Sequence, residues 1–137
     1  MAALIVLMYN LFLDDVRIPS KITWVVLPLV EWKIARNYDQ FVAMITAQGL
    51  PIRIAFDHDL AAEHYDQAIK QSLIDGKEID YDSFEDKTGM DCVKWLVEYC
   101  ITHDAAFPEY YLHTMNPVGA QNMKSYIESY ERSRTKT

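Results

Sequence analysis

Apolar and polar positions along this chain fall into short blocks, and each block reads as one element. Residues 9–13 (YNLFL) are an apolar run that ends abruptly in Asp14 and Asp15, the pattern of a short strand with a polar end. Residues 31–36, 52–56 and 110–114 give three more short strands. Between them apolar residues recur at helical spacing. Phe41, Met44, Ile45 and Gln48 share one stripe, apolar except for the last; Asn37 caps it, Gln40 stands three residues on as in a capping box, and Gly49 with Pro51 stops it. Residues 89–103 put Val93, Leu96, Val97 and Cys100 on one stripe, with Thr88 as N-cap and Asp91 at the third helical position. Asn116 followed by Pro117 opens a last helix, predicted to reach about residue 131 and to fray into the tail 132–137.

Two stretches break the pattern. Residues 16–32 (VRIPSKITWVVLPLVEW) contain Pro19 and Pro28 without a helical period, and read as a long loop after the first strand. Residues 61–87 carry eight carboxylates against Lys70, Lys77 and Lys87, a composition shift that reads as a helical piece over 61–74 and an acidic loop over 75–87. Strands alternating with helices imply parallel pairing through right-handed crossovers. The expected fold class is α/β, with a short, mainly parallel sheet of about four strands, a long loop after strand 1 and an acidic insert after strand 3.

Composition narrows the function. The chain has 137 residues, half of them apolar, enough for one domain with a real core and too few for two ordinary ones. Its net charge of −7 argues against a long nucleic-acid groove, which needs a basic face, and leaves room for a single nucleotide or one RNA end. Cys92 and Cys100 lie roughly 12 Å apart along one helix and cannot bridge to each other, so they read as reduced, buried thiols. No run reaches the ~18 apolar residues of a membrane span, and the start (MAALIVLMYN) lacks the basic segment and cleavage site of a signal peptide. A cytoplasmic protein is expected, with residues 1–8 readable as an N-terminal extension and Met8 as the natural initiator.

The candidate chemistry collects at the strand ends. In an open parallel sheet ligands bind outside the carboxyl ends of the strands. The first strand delivers Asp14, Asp15 and then Arg17; the third delivers Asp57, His58 and Asp59 in the run FDHDL; the fourth delivers His113, Thr114 and Asn116. Taken singly, each is an ordinary turn or cap residue. Together, four carboxylates at one edge repel one another unless something positive sits among them. Asp14, Asp15, Asp57 and Asp59 are hard oxygen ligands that suit Mg²⁺ or Mn²⁺. The start of the last helix, with Asn116 and Gly119, offers backbone N–H groups to an anion, and Arg17, Lys87 and Thr88 can add contacts. Phosphate chemistry is the natural reading. His113 is the expected proton-transfer group, with His58 a second candidate that points away from Asp57 and Asp59 in strand geometry.

The arrangement resembles the receiver domain of response regulators, with Asp14-Asp15, Asp57 or Asp59, and Thr114 in the places of its acidic pair, aspartate and Ser/Thr. It departs from that pattern in lacking a fifth strand with an essential lysine and in replacing the first helix by a Pro-containing connection. Over nearly the whole chain it is more similar to a receiver-derived family, the cyclic-phosphate processing receiver domain, through the motifs LFLDDVRIP (11–19), FDHDL (56–60), KTGMDCVKWLVEYC (87–100) and HTMNPVGAQNM (113–123). That resemblance implies a compact, three-layer, flavodoxin-like fold. It also implies a role in processing cyclic phosphates on RNA ends or nucleotides, in RNA repair or in bacterial and phage conflict. Its motif residues fall on Asp14, Asp15, Arg17, Asp57, His58, Asp59, His113, Thr114 and Asn116. Three functions compete. The first is a metal-assisted phosphodiesterase in which His113, Asp57 and His58 are catalytic, the second a non-catalytic nucleotide binder, and the third an atypical phospho-receiver or interaction domain.

Overall fold

The structure, a computed structural model, describes residues 8–60, 76 and 87–135. The expectations for residues 1–7, for the helical piece 61–74 and for nearly all of the acidic loop 75–87 lie outside the described residues. Four strands form one sheet: β1 (Asn10–Leu13), β2 (Trp32–Ala35), β3 (Arg53–Phe56) and β4 (Glu109–Leu112). Every pairing is parallel and the spatial order is β2-β1-β3-β4. Three helices follow in the described chain: α1 (Tyr38–Gln48), α2 (Gly89–Thr102) and α3 (Pro117–Thr135). Parallel pairing puts all four carboxyl ends on one edge, which is the physical reason the polar strand ends converge.

The local signals in the sequence work as capping chemistry. Asn37 Oδ1 accepts the Gln40 N–H at 2.8 Å, while Gln40 Oε1 reaches back to the Arg36 N–H at 2.7 Å, one residue earlier than the usual capping-box partner. Gly49 ends α1 with φ of 84°, a backbone state that favours glycine. At α2 the Asp91 carboxylate accepts the Thr88 N–H at 2.8 Å. Helix α3 runs to Thr135 rather than fraying near residue 131, because Arg134 donates to Asp104 Oδ1 and to the Tyr130 hydroxyl, both at 3.3 Å.

The two faces of the sheet are covered differently. Leu11, Leu13, Ile54 and Phe56 face one main core together with Phe41 and Ile45 of α1, Val93 and Leu96 of α2, and Met123 and Ile127 of α3. The alternate residues Phe12 and Ala55 face the other way, where Ile22, Val25 and Leu27 of the β1–β2 connection pack on them. Among the described residues, all three helices thus share one face, and the third layer is irregular chain with a short 3-10 turn at Pro19–Lys21. Both cysteines are free and buried, and burial pushes the Cys100 thiol up to about 11. Among the described residues no helix is long and apolar enough to cross a membrane.

Candidate functional site

The end of β1 turns on Asp14. Its backbone N–H donates to Ala35 of β2 at 3.1 Å, and its Oδ1 accepts the N–H groups of Val16 and Arg17 at 3.0 and 2.8 Å. One carboxylate oxygen thereby folds the chain sharply after the strand, as Asp does in local turns. The other oxygen, Oδ2, accepts from His113 Nε2 at 3.0 Å. Burial alone would raise the pKa of Asp14, but the His113 and backbone hydrogen bonds outweigh it and hold the group well below the usual carboxylate range. Both Asp14 oxygens are thus engaged, Oδ1 by the backbone of the turn and Oδ2 by the His113 ring.

The end of β3 supplies Asp57, whose N–H donates to Leu13 O at 2.9 Å and whose Oδ1 accepts the His58 N–H at 2.8 Å. Asp57 is raised above its ordinary value, first by burial and then by the charge of Asp14. Asp15 is pushed up to about 6 by burial and by the charges of Asp14 and Asp57. Two raised carboxyls side by side are the signature of negative charge crowded into a poorly solvated place. The end of β4 supplies Thr114, whose Oγ1 accepts the Asn116 N–H at 3.1 Å, and Asn116, whose Oδ1 caps the Gly119 N–H at 3.0 Å.

These ends enclose a cleft of about 420 Å³. Asp15, Val16 and Arg17 line it from β1, Asp57 and Asp59 from β3, and Thr114, Met115 and Asn116 from β4. The Arg17 guanidinium sits among the acids, with Nη1 3.5 Å from Asp14 Oδ2 and 4.0 Å from Asp57 Oδ2. It also lies over the Trp24 ring, 5.1 Å from the centroid. The positive charge that four acids at one edge call for is thus partly supplied by the chain itself.

Several expected site residues stand elsewhere. His113 is fully buried, stacked on Phe12 at 4.6 Å with an interplanar angle of 6°. It is behind Asp14 and outside the cleft lining, because its position just after β4 points it to the Phe12 face, and Trp24 donates its indole N–H to the His113 backbone O at 2.7 Å. Among the described residues its Nδ1 has no hydrogen-bond partner. The Gly119 N–H is already taken by Asn116, and the glycine exists for another reason: a Cβ there would lie 2.6 Å from the His58 ring. His58 rests on that glycine with Nδ1 2.9 Å from Asp59 Oδ1. Lys87 is directed at the Tyr38 ring, 5.5 Å from its centroid, and Thr88 caps α2, so neither lines the cleft.

Sequence reasoning passed over three residues that build the site. Arg36, at the end of β2, donates to the backbone oxygens of Asp14 at 3.3 Å and Arg17 at 2.5 Å and so clamps the turn; the strand-end rule applied to β2 would have found it. Gly89 donates to His58 O at 2.7 Å, and a Cβ on it would lie 1.9 Å from Asp57 O, so only glycine lets α2 start against the end of β3. Trp24 sits in a connection without any local signal.

Among the described residues, Asp14, Asp57 and His113 present ligand atoms within 4.8 Å of one another. The hard oxygens of Asp14 and Asp57 fit a divalent cation, which would offset the burial and the like charge that disfavour an ionised Asp57. A parallel α/β sheet with an acidic pair after β1, an aspartate after β3 and a threonine after β4 defines a receiver-like protein with an acidic cleft. A family model described as the cyclic-phosphate processing receiver domain matches residues 9–129, and the chain belongs to that family. No curated protein and no solved structure matches the chain significantly.

Proposed function

We propose that the cleft hydrolyses a cyclic phosphate carried by a nucleotide or an RNA end. The observation that supports this most strongly is the meeting of carboxyl, guanidinium, hydroxyl and amide groups from three strand ends around one cleft in a chain of this family. Asp14 and Asp57 would hold a divalent cation such as Mg²⁺ or Mn²⁺, which supplies charge neutralisation at the phosphoryl oxygens and lowers the pKa of water. Arg17 leaves the carboxylates to bind the phosphoryl oxygens, and the Thr114 hydroxyl and the Asn116 amide orient them. Water attacks phosphorus and gives its proton to Asp59, whose carboxylate His58 Nδ1 steadies at 2.9 Å. The ester bond to one ribose oxygen breaks. The Asp15 carboxyl, which lines the cleft, gives that leaving oxygen its proton. His113 acts through Asp14 as a positioning residue.

A second reading, a binder that breaks no bond, is favoured by Arg17, which already spans Asp14 and Asp57 where a cation would sit. The phospho-receiver reading is weakened because, among the described residues, no lysine lines the cleft. The test is incubation with nucleoside 2′,3′-cyclic phosphates, with and without Mg²⁺ or Mn²⁺, read by mass spectrometry. Gain of one water is expected, with a rate lowered about a hundredfold or more in Asp15→Asn and Asp57→Asn. Ligand retained on the protein without a mass change would overturn hydrolysis in favour of binding.

A further inference from the structure

The cleft has a second chemical character at its rim. Val16 and Met115 line it from the ends of β1 and β4, and they expose 63% and 67% of their surface. Aliphatic side chains at the mouth of a cleft walled by charged and hydroxyl groups do nothing for a bare phosphate. Trp24 stays 41% exposed although its N–H is fixed on His113 O and Arg17 lies over its ring. Arg17 Nη2 in turn is 3.9 Å from Met115 Sδ. Trp24, Arg17 and Met115 therefore form one continuous edge that runs from apolar surface to the phosphate-handling groups. The cleft, at about 420 Å³, is in the size range of small-ligand sites, roughly 300–1,000 Å³.

We infer that the rim formed by Val16 and Met115 seats the base of a nucleoside cyclic phosphate, with Arg17, backed by Trp24, at the junction of base and phosphate. The inference rests on the cyclic-phosphate reading above and adds a base subsite to it. Apolar side chains offer contact area and no strong hydrogen-bond code, so the subsite accepts any base and holds the larger purines more tightly. Burying on the order of 50–60 Å² of apolar rim corresponds to about tenfold in affinity.

The experiment is calorimetric binding in Mg²⁺, on the Asp15→Asn protein so that turnover is slowed about a hundredfold or more. Its ligands are adenosine 2′,3′-cyclic phosphate and the base-free 1-O-methylribose 2,3-cyclic phosphate. The nucleoside is expected to bind about tenfold more tightly, and adding Val16→Ser with Met115→Ser to bring the ratio within about twofold of one. Base-free ligand that binds as well as the nucleoside leaves the cyclic-phosphate reading standing and overturns the base subsite. A tenfold preference that survives the double substitution overturns it too. Binding of neither ligand overturns the phosphate reading and the subsite together.

Discussion

Asp15→Asn is expected to make the unliganded protein more stable at neutral pH. Asp15 is raised from 3.8 to about 6 by burial and by the charges of Asp14 and Asp57. A group whose pKa is higher folded than unfolded binds its proton more tightly in the native state. Its contribution is complete below about pH 4 and is lost as pH rises through about 6. Above that window the native protein carries a carboxylate that burial and two like charges disfavour, and asparagine removes it with little change of shape. Two pH units correspond to about 3 kcal/mol at most. Asp15 faces an open cleft where water screens its neighbours, so the gain expected at pH 7.5 is on the order of 1 kcal/mol. For a domain of this length that raises Tm by about 3–5 °C. Urea unfolding of both proteins at pH 4 and pH 7.5 measures it directly. A variant no more stable than the parent at pH 7.5, or an advantage that does not shrink at pH 4, would refute the charge-crowding account.

Three further outcomes follow from the packing and the charges. Gly89→Ala places a methyl group 1.9 Å from Asp57 O, backbone against backbone; it is expected to cost at least about 1–3 kcal/mol in denaturant unfolding, and a neutral substitution would contradict the close approach. Gly119→Ala is expected to destabilise the parent through the His58 ring but to stabilise a His58→Ala protein by about 0.5–1 kcal/mol, since alanine is the better helix former. A change of the same sign in both backgrounds would break that link. Mg²⁺ or Mn²⁺ at a hundred times its Kd is expected to stabilise the parent by about 2.7 kcal/mol and to leave Asp57→Asn near its metal-free Tm, as followed by thermal melts; equal stabilisation of both proteins would remove Asp57 from the cation site.

Most of the secondary structure was legible because its signals are local. The caps at Asn37 and Thr88, the stop at Gly49 and the apolar runs of β1 and β3 each depend on residues within four positions of one another. The choice of edge was legible as well. Once alternating strands and helices imply parallel pairing, the ends of β1, β3 and β4 must lie together, and Asp14, Asp57 and Thr114 with them.

What each side chain does at that edge was a tertiary decision. His113 looked like a free proton-transfer group, yet Phe12 and Asp14, each about a hundred positions away in sequence, stack on its ring and hold its Nε2. Gly89 and Gly119 carried only helix-start signals, and their need for a bare α-carbon appears only when Asp57 O and the His58 ring are brought against them. Arg17 read as a phosphate ligand, and in the folded chain it also neutralises Asp14 and Asp57. The sequence by itself determined which elements form and which edge collects the ionisable groups, because periodicity and capping act over a few residues. Burial, charge crowding and the division of the strand-end residues into cleft-lining and supporting roles came only from the tertiary structure, because they depend on distances between segments that the chain order does not specify.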